Sequence, residues 1–334
     1  MTQKTIFIAE AGVNHNGKIS LAKKLIDKAK FAGADYIKFQ AYRTKDISTN
    51  IAQLTPYQKK NSIKSKNQQE LLKKLELSQE QLIYLKKYSK KKKIKFLLSF
   101  FDEKSLEFTE KLNLDYYKIP SPELTNLLLI NKIKKKKKIL LSCGLTKLYE
   151  IKKVLQIFEK KKFKKKNLIL MHCNSAYPTP IDDINLRKIK YLKKKFKLQV
   201  GFSDHSIGDL AVICATMLGV NIIEKHFTLD KRLKGPDHRS SMEPIEFKNM
   251  IQNVSFAQKM LGRHNVFISK SEKANLKYVK KYLVAKKKII KGQKFTLNNI
   301  TAKRTGKGIP SFNYEKVINK ISKFNFNIDE SIKL

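Results

Sequence analysis

Eight apolar runs of strand length recur along the chain, with segments of helical spacing between them. They are Ile6–Ala9, Tyr36–Gln40, Lys95–Leu98, Tyr116–Ile119, Ile139–Ser142, Leu168–His172, Gln199–Phe202 and Asn221–His226. Apolar residues at helical spacing fill the gaps, as in Leu21, Ala22, Leu25, Ile26 and Ala29, or Leu124, Leu127, Leu128 and Ile130. Strands alternating with helices build βα units around a parallel sheet. Eight such units predict a closed (β/α)8 TIM barrel, an α/β fold, rather than an open sheet. The stretch from Ala41 to Ile94 is too long for one unit and reads as a polar loop with helices at about 65–75 and 79–92. With 334 residues the chain also exceeds the roughly 250 of a barrel alone. The barrel is therefore assigned to 1–262, a polar linker without strand pattern to 263–281, and a small loop-rich domain to 282–334. In that last piece Leu283–Ala285 and Lys288–Ile290 read as strands, with turns at Lys291-Gly292 and Gly306-Lys307-Gly308. A core this small is marginal, so the domain is expected to lean on another surface.

In a TIM barrel the chemistry sits at the C-terminal ends of the strands, and alternation says which side chains face inward. Polar residues gather at seven of the eight strand ends: Glu10, Lys38 with Gln40, Lys118 through Glu123, Ser142, His172 through Tyr177, Ser203 through His205, and Glu224 through His226. His205 and His226 lie one βα unit apart, which sets two imidazoles on neighbouring strand tops. One histidine there is more often a hydrogen-bonded structural residue. Two of the chain's six at matching ends favour a transition metal with open positions for water and substrate. Lys38 and Lys118 point into the barrel mouth, where a lysine needs a partner. An anionic ligand would supply one, with Ser121, Ser142 and Ser203 as hydroxyl donors. The competing account is that lysine is common enough here to reach strand ends by accident. Asn14-His15-Asn16 superficially resembles an HNH nuclease triplet, but it follows a barrel strand, and Gly306-Lys307-Gly308 is too short for a phosphate loop.

Charge decides less than its size suggests. Lys and Arg number 72 against 28 Asp and Glu, a net +44. A basic surface suits nucleic acid, but the lysines fall in runs (Lys90–Lys93, Lys134–Lys138, Lys160–Lys166, Lys193–Lys195) beside many Ile and Asn, as A/T-rich codons produce. No interleaved basic and aromatic platform or nucleic-acid motif accompanies them, so no nucleic-acid partner is expected. Attraction of anionic substrates is a side benefit. Cys143, Cys173 and Cys214 are scattered, with no CxxC pair, which fits a reducing compartment. Glu10 interrupts the N-terminal apolar run, and no stretch approaches a membrane span, so a cytoplasmic, membrane-free protein is expected.

At the strand ends the sequence resembles the sialic acid synthase family, which includes N-acetylneuraminate, legionaminate and pseudaminate synthases. The matching stretches are IAEAGVNHNG from Ile8, IKFQ from Ile37, YKIPSPE from Tyr117, HCNSAYPTP from His172, GFSDHS from Gly201, EKHFTLD from Glu224 and GPDH from Gly235. KGQ at Lys291 and KRTGKG at Lys303 look like the antifreeze-like (SAF, β-clip) domain that closes these proteins. The resemblance implies that His205 and His226 bind a divalent ion, manganese first, with magnesium or cobalt as alternatives. It implies a condensation of phosphoenolpyruvate with an N-acetylmannosamine-type sugar. Residues matching Lys38, Gln40, Lys118, Ser121, Ser142, Asn174, Ser175 and Ser203 would hold phosphoenolpyruvate. Those matching Glu10, Tyr177 and Asp237 would contact the sugar, with Glu10 and either Glu123 or Glu224 in catalytic roles. Arg304 matches an arginine that reaches the N-acetyl group in the partner subunit's barrel, which implies a homodimer whose small domains cap each other's barrels. Pro122, Cys143 and Ser99-Phe100 depart from the family's usual residues. The GPDH stretch resembles the neuraminate and legionaminate branches more than the pseudaminate branch. Other phosphoenolpyruvate–sugar synthases, making a heptulosonate or octulosonate phosphate, would need a second phosphate clamp and would leave the small domain unexplained.

Overall fold

The computed structural model describes residues 4–61, 65–134 and 137–334; Lys135 and Lys136 of the Lys134–Lys138 run lie outside them. Eight parallel strands close into a barrel in sequence order: β1 Ile6–Gly12, β2 Tyr36–Ala41, β3 Lys95–Phe100, β4 Tyr116–Ile119, β5 Lys138–Ser142, β6 Leu168–His172, β7 Gln199–Asp204 and β8 Ile222–His226. Alternation sorts each strand into two faces. Ile8, Tyr36, Leu97, Tyr116, Leu140, Ile169, Met171 and Ile222 fill the barrel interior. The opposite face, with Ile37, Phe39, Leu98, Tyr117, Leu141, Leu170 and Ile223, packs under the surrounding helices. Two residues beyond Ile8, Tyr36, Tyr116 and Ile222 the inward row turns polar, and register aligns it. Glu10 lies beside Lys38 and His226, Ser99 beside Lys118, and Ser203 beside Glu224.

Among the described residues, the connection from β2 to β3 holds four helices: Thr44–Ile47, Pro56–Asn61, Gln68–Leu75 and Gln79–Lys91. The last two match the expected pair; the shorter two have too few residues to show periodicity. Asn67 caps Gln68–Leu75, and Ser78 with Gln81 forms a capping box on Gln79–Lys91. Leu71 and Leu75 pack on Val13 and Tyr42, seating this excursion beside the loop after β1.

Some of the lysine load is structural. Helix C-termini leave carbonyls without partners and favour cations. Lys30 reaches the carbonyl of Lys93, Lys86 that of Leu112, and Lys193 those of Leu218 and Gly219. Lys161 reaches three, on Ile130, Asn131 and Ile133.

The chain divides into two compact units, Met1–Gly262 and Arg263–Leu334. Within the second, the segment expected as a linker contains a helix, Lys270–Val279, opened by a Ser269–Glu272 capping box. It buries none of its residues, so no packed apolar face distinguishes it from a linker. β9, Tyr282–Ala285, pairs antiparallel with β10, Ile300–Lys303. Lys288–Ile290 is not a strand; only a single bridge joins Ile289 to Phe326. Leu283, Ala285, Ile289, Phe295, Ile300, Val317, Phe326 and Ile332 form this unit's own core. Among the described residues no helix is long and apolar enough to cross a membrane.

Candidate active site

The polar row floors a cavity of about 370 Å³ at the C-terminal end of the barrel. Its centre is a four-membered charge cluster. Lys38 Nζ lies 2.9 Å from Glu10 Oε2 and 3.6 Å from Glu224 Oε1, and Lys118 Nζ lies 3.1 Å from Glu224 Oε1. All four side chains are buried. The two lysines thus have carboxylate partners in the protein itself, besides any ligand. Ser203 Oγ donates to Glu224 Oε1 at 3.1 Å, and Lys38 Nζ to Ser99 Oγ at 3.3 Å.

Two carboxylates sharing one lysine cannot behave alike. Burial raises the Glu10 carboxyl above its ordinary range; Lys38 pulls it back and Glu224 pushes it up again. Burial acts on Glu224 too, but Lys118 and Lys38 outweigh it and hold that carboxyl at about 2. Lys38 stays charged, because Glu10 and Glu224 more than offset its burial. Asp237, buried near Glu10, is pushed up to about 7.

The imidazoles of His205 and His226 lie 5.4 Å apart, centre to centre. Tyr177 stacks on His205 at 4.3 Å and meets His226 edge-on at 5.4 Å. Burial lowers His205 to about 4 and His226 well below its ordinary value, so both are neutral near pH 7. His205 Nδ1 is 2.5 Å from the Asn174 carbonyl, which assigns the proton there and leaves Nε2 as the lone-pair nitrogen. His226 Nδ1 is buried without a hydrogen-bond partner. Neutral imidazoles, one anchored by a carbonyl and one with an unspent buried nitrogen, fit a divalent transition metal. Among the described residues no group of three His, Cys, Asp or Glu is arranged to hold one. A bound ion would therefore keep positions open.

A second corner is lined by hydroxyls. Gly144 N donates to Ser121 Oγ at 3.1 Å, and Ser121 Oγ contacts Cys173 Sγ at 3.1 Å. A Cβ on Gly144 would come within 2.6 Å of Ser175 Oγ and 2.7 Å of Ser121 Oγ, so the glycine lets these groups converge. Ser142 Oγ is buried with no partner. Glu123 lines the same cavity, its carboxylate accepting from Asn126 Nδ2 at 2.7 Å and its pKa raised by burial.

Of the residues expected here, Glu10, Lys38, Gln40, Lys118, Ser121, Glu123, Ser142, Ser175, Tyr177, Ser203, His205, Glu224, His226 and Asp237 line the cavity. Asn174 does not. Its amide donates to the Asp183 carbonyl and accepts from Ala176 N, so it contributes only the main-chain oxygen that anchors His205. It lies past the end of β6, where alternation no longer says which way a side chain turns. Arg304 belongs to the second unit, just after β10, and is exposed there. Sequence reasoning missed Tyr57 and Gln58, which the β2–β3 excursion brings to the cavity, Tyr57 at 5.2 Å from the Tyr177 ring. No local signal marks them. Ser99 continues the inward row of β3, so alternation could have found it, whereas Cys173, like Asn174, lies past the end of β6 and carried no such signal.

Buried charge is costly away from water and collects where chemistry uses it. Fold and cavity together define a TIM-barrel enzyme whose working end is small and charged, with its four central charges buried. More particularly, the chain belongs to the NeuB family, whose sequence model matches residues 25–266. The N,N'-diacetyllegionaminic acid synthase of Campylobacter jejuni subsp. jejuni is 43% identical over 332 residues, 99% of each chain. The protein of the same name from Legionella pneumophila subsp. pneumophila is 37% identical over 305 residues, 90% of this chain and 86% of that one. The crystal structure of N-acetylneuraminic acid (sialic acid) synthetase from Leptospira borgpetersenii serovar Hardjo-bovis, in complex with citrate, matches with a TM-score of 0.71. Its sequence is 33% identical, with 83% of this chain and 92% of that chain covered.

Proposed function

We propose that this chain condenses phosphoenolpyruvate with an acetamido sugar of the N-acetylmannosamine type, giving a nonulosonic acid and phosphate. The carrying observation is the Lys38–Glu10–Glu224–Lys118 cluster set beside two neutral histidines in one cavity. Lys38 and Lys118 attract the carboxylate and phosphate of phosphoenolpyruvate, and Ser121, Ser142, Ser175 and Ser203 offer hydroxyls to their oxygens. His205 and His226 hold a divalent cation, manganese first, which when bound polarises an aldehyde oxygen.

The bond changes balance as follows. The C2–C3 π electrons of phosphoenolpyruvate form the new bond to the sugar's aldehyde carbon, and the aldehyde oxygen takes a proton. Water adds at C2 and loses one proton, the C2–O bond to phosphate breaks, and the remaining hydroxyl proton passes to the departing phosphate, so that C2 is left as a ketone. Glu10, whose carboxyl is pushed toward the protonated form, suits the first transfer. Glu224 suits the second by placement, because its Oε2 is buried beside the lysines without a hydrogen-bond partner. That choice favours Glu224 over Glu123 as the group that takes the water's proton.

The sugar we favour is the 2,4-diacetamido, 6-deoxy substrate of a legionaminic acid synthase, supported by the 43% and 37% identities to proteins of that name. Neuraminate formation is the second reading, supported by the 33% identical synthetase. The same proposal takes residues 282–334 as an antifreeze-like domain, the working unit as a homodimer in which Arg304 enters the other subunit's barrel, and the location as cytoplasmic. Purified protein with Mn²⁺, phosphoenolpyruvate and each sugar in turn should release phosphate, faster with the diacetamido sugar. Release with N-acetylmannosamine alone would select the second reading, and release with neither sugar under any divalent metal would refute the condensation.

A further inference from the structure

The triplet Asn14-His15-Asn16 has no part in the chemistry above, yet Asn14 is only 1% exposed. Its amide Nδ2 donates to the Phe227 carbonyl at 3.0 Å and to Ser241 Oγ at 2.8 Å. Ser241 Oγ in turn donates to the main-chain carbonyl of Asp237 at 2.6 Å. Asn16 reaches the same loop, its Nδ2 donating to the Lys234 carbonyl at 2.9 Å and its Oδ1 lying 3.3 Å from His238 Nε2. The other ring nitrogen of His238 is 2.7 Å from Thr228 Oγ1. Gly235 occupies the crossing point. It has φ +157°, and a Cβ there would come within 2.7 Å of Asn16 Oδ1 and 2.6 Å of His238 Cδ2. The loop from Phe227 to Met242 is thus tied to the loop after β1 at several places around Asp237.

Asp237 needs this support. Its carboxylate lines the cavity 3.9 Å from His226 Nδ1, and among the described residues no hydrogen bond holds it. Where that carboxylate stands is set through its own main chain.

We propose that Asn14 and Ser241, aided by Asn16 and His238, form a clasp that positions Asp237 and thereby sets the enzyme's affinity for its sugar. The inference rests on the reading of Asp237 as a sugar contact. Asn14 does not line the cavity and is a positioning residue. Removing its amide leaves the Phe227 carbonyl and Ser241 hydroxyl short of a partner, and the loop carrying Asp237 relaxes.

The test is steady-state kinetics on the full-length enzyme with both substrates varied. Asn14→Ala should raise KM for the sugar about tenfold, while KM for phosphoenolpyruvate and kcat at saturating sugar stay within about twofold. Ser241→Ala should do the same, and Ser241→Thr, which keeps the hydroxyl, should stay near wild type. If Asn14→Ala does not fold, the Ser241 pair carries the test alone. Asp237→Ala separates the two levels of inference. If it leaves the sugar KM unchanged, the assigned role of Asp237 falls and the clasp's purpose with it. If it raises that KM while Asn14→Ala and Ser241→Ala raise neither KM, or raise both alike, the clasp alone is overturned.

Discussion

His205 and His226 show how far one residue's meaning depends on its neighbours. Strand spacing is enough to bring both to one end of the barrel. That the Asn174 carbonyl anchors one ring and that burial keeps both neutral follows only from packing. In the proposed metal site, His205→Ala should strip the ion, read as metal content after gel filtration, and lower turnover at least about a hundredfold. A variant that keeps its metal would remove His205 from the ligand set. His172 makes a contrasting case at the end of β6. Burial holds it at about 4 against an ordinary 6.5, with Nε2 spent on the Ile184 carbonyl. The native state therefore takes up this proton later than the unfolded chain. Stability from the neutral ring is complete above about pH 6.5 and is lost as pH falls toward 4, at about 1.4 kcal/mol per pH unit. His172→Gln should be less stable at pH 7 yet lose less between pH 6.5 and 4 in urea titrations. An unchanged slope would show that His172 does not carry that linkage.

At the scale of elements, strands and long helices were legible, because each buries a periodic apolar face. All eight barrel strands begin within a residue of the apolar runs that mark them, and β1 continues three residues further, to Gly12. The helices Thr44–Ile47, Pro56–Asn61 and Lys270–Val279 escaped, the first two by shortness and the third because it buries nothing. Lysine runs attributed to A/T-rich codons turn out to include helix caps. Lys161 is the strongest, with three carbonyls at the end of Leu127–Lys132 and just beyond it. Lys161→Ala should cost about 1 kcal/mol by chemical denaturation, whereas Lys160→Ala, exposed one residue away, should stay within about 0.5 kcal/mol. Equal effects would deny Lys161 a capping role.

At the scale of the molecule, the two units meet different fates in a sequence reading. The barrel announces itself by repetition. The second unit has a core of eight buried residues drawn from loops and two short strands, and one strand-like run, the turn glycines and a resemblance mark it. Its proposed part, reaching a partner's barrel with Arg304, makes a clear demand. Arg304→Ala and His205→Ala should each be nearly inactive, yet mixed and reassociated subunits should recover about a quarter of wild-type activity, since half the dimers carry one intact composite site. No recovery, with dimer exchange confirmed by mass, would mean that Arg304 acts within its own chain or not at all.

What the sequence determined by itself was the barrel, the end of it that works, and which strand residues face inward, because alternation converts one dimension into two faces without further information. Tertiary structure alone decided the pairing of Lys38 with both Glu10 and Glu224, the entry of Tyr57 from a long excursion, the turning away of Asn174, and the hold of Asn14 on the Asp237 loop. Each of these joins side chains through space after the chain has left regular structure. There no period constrains direction, and only the packing of the whole barrel mouth selects the partner.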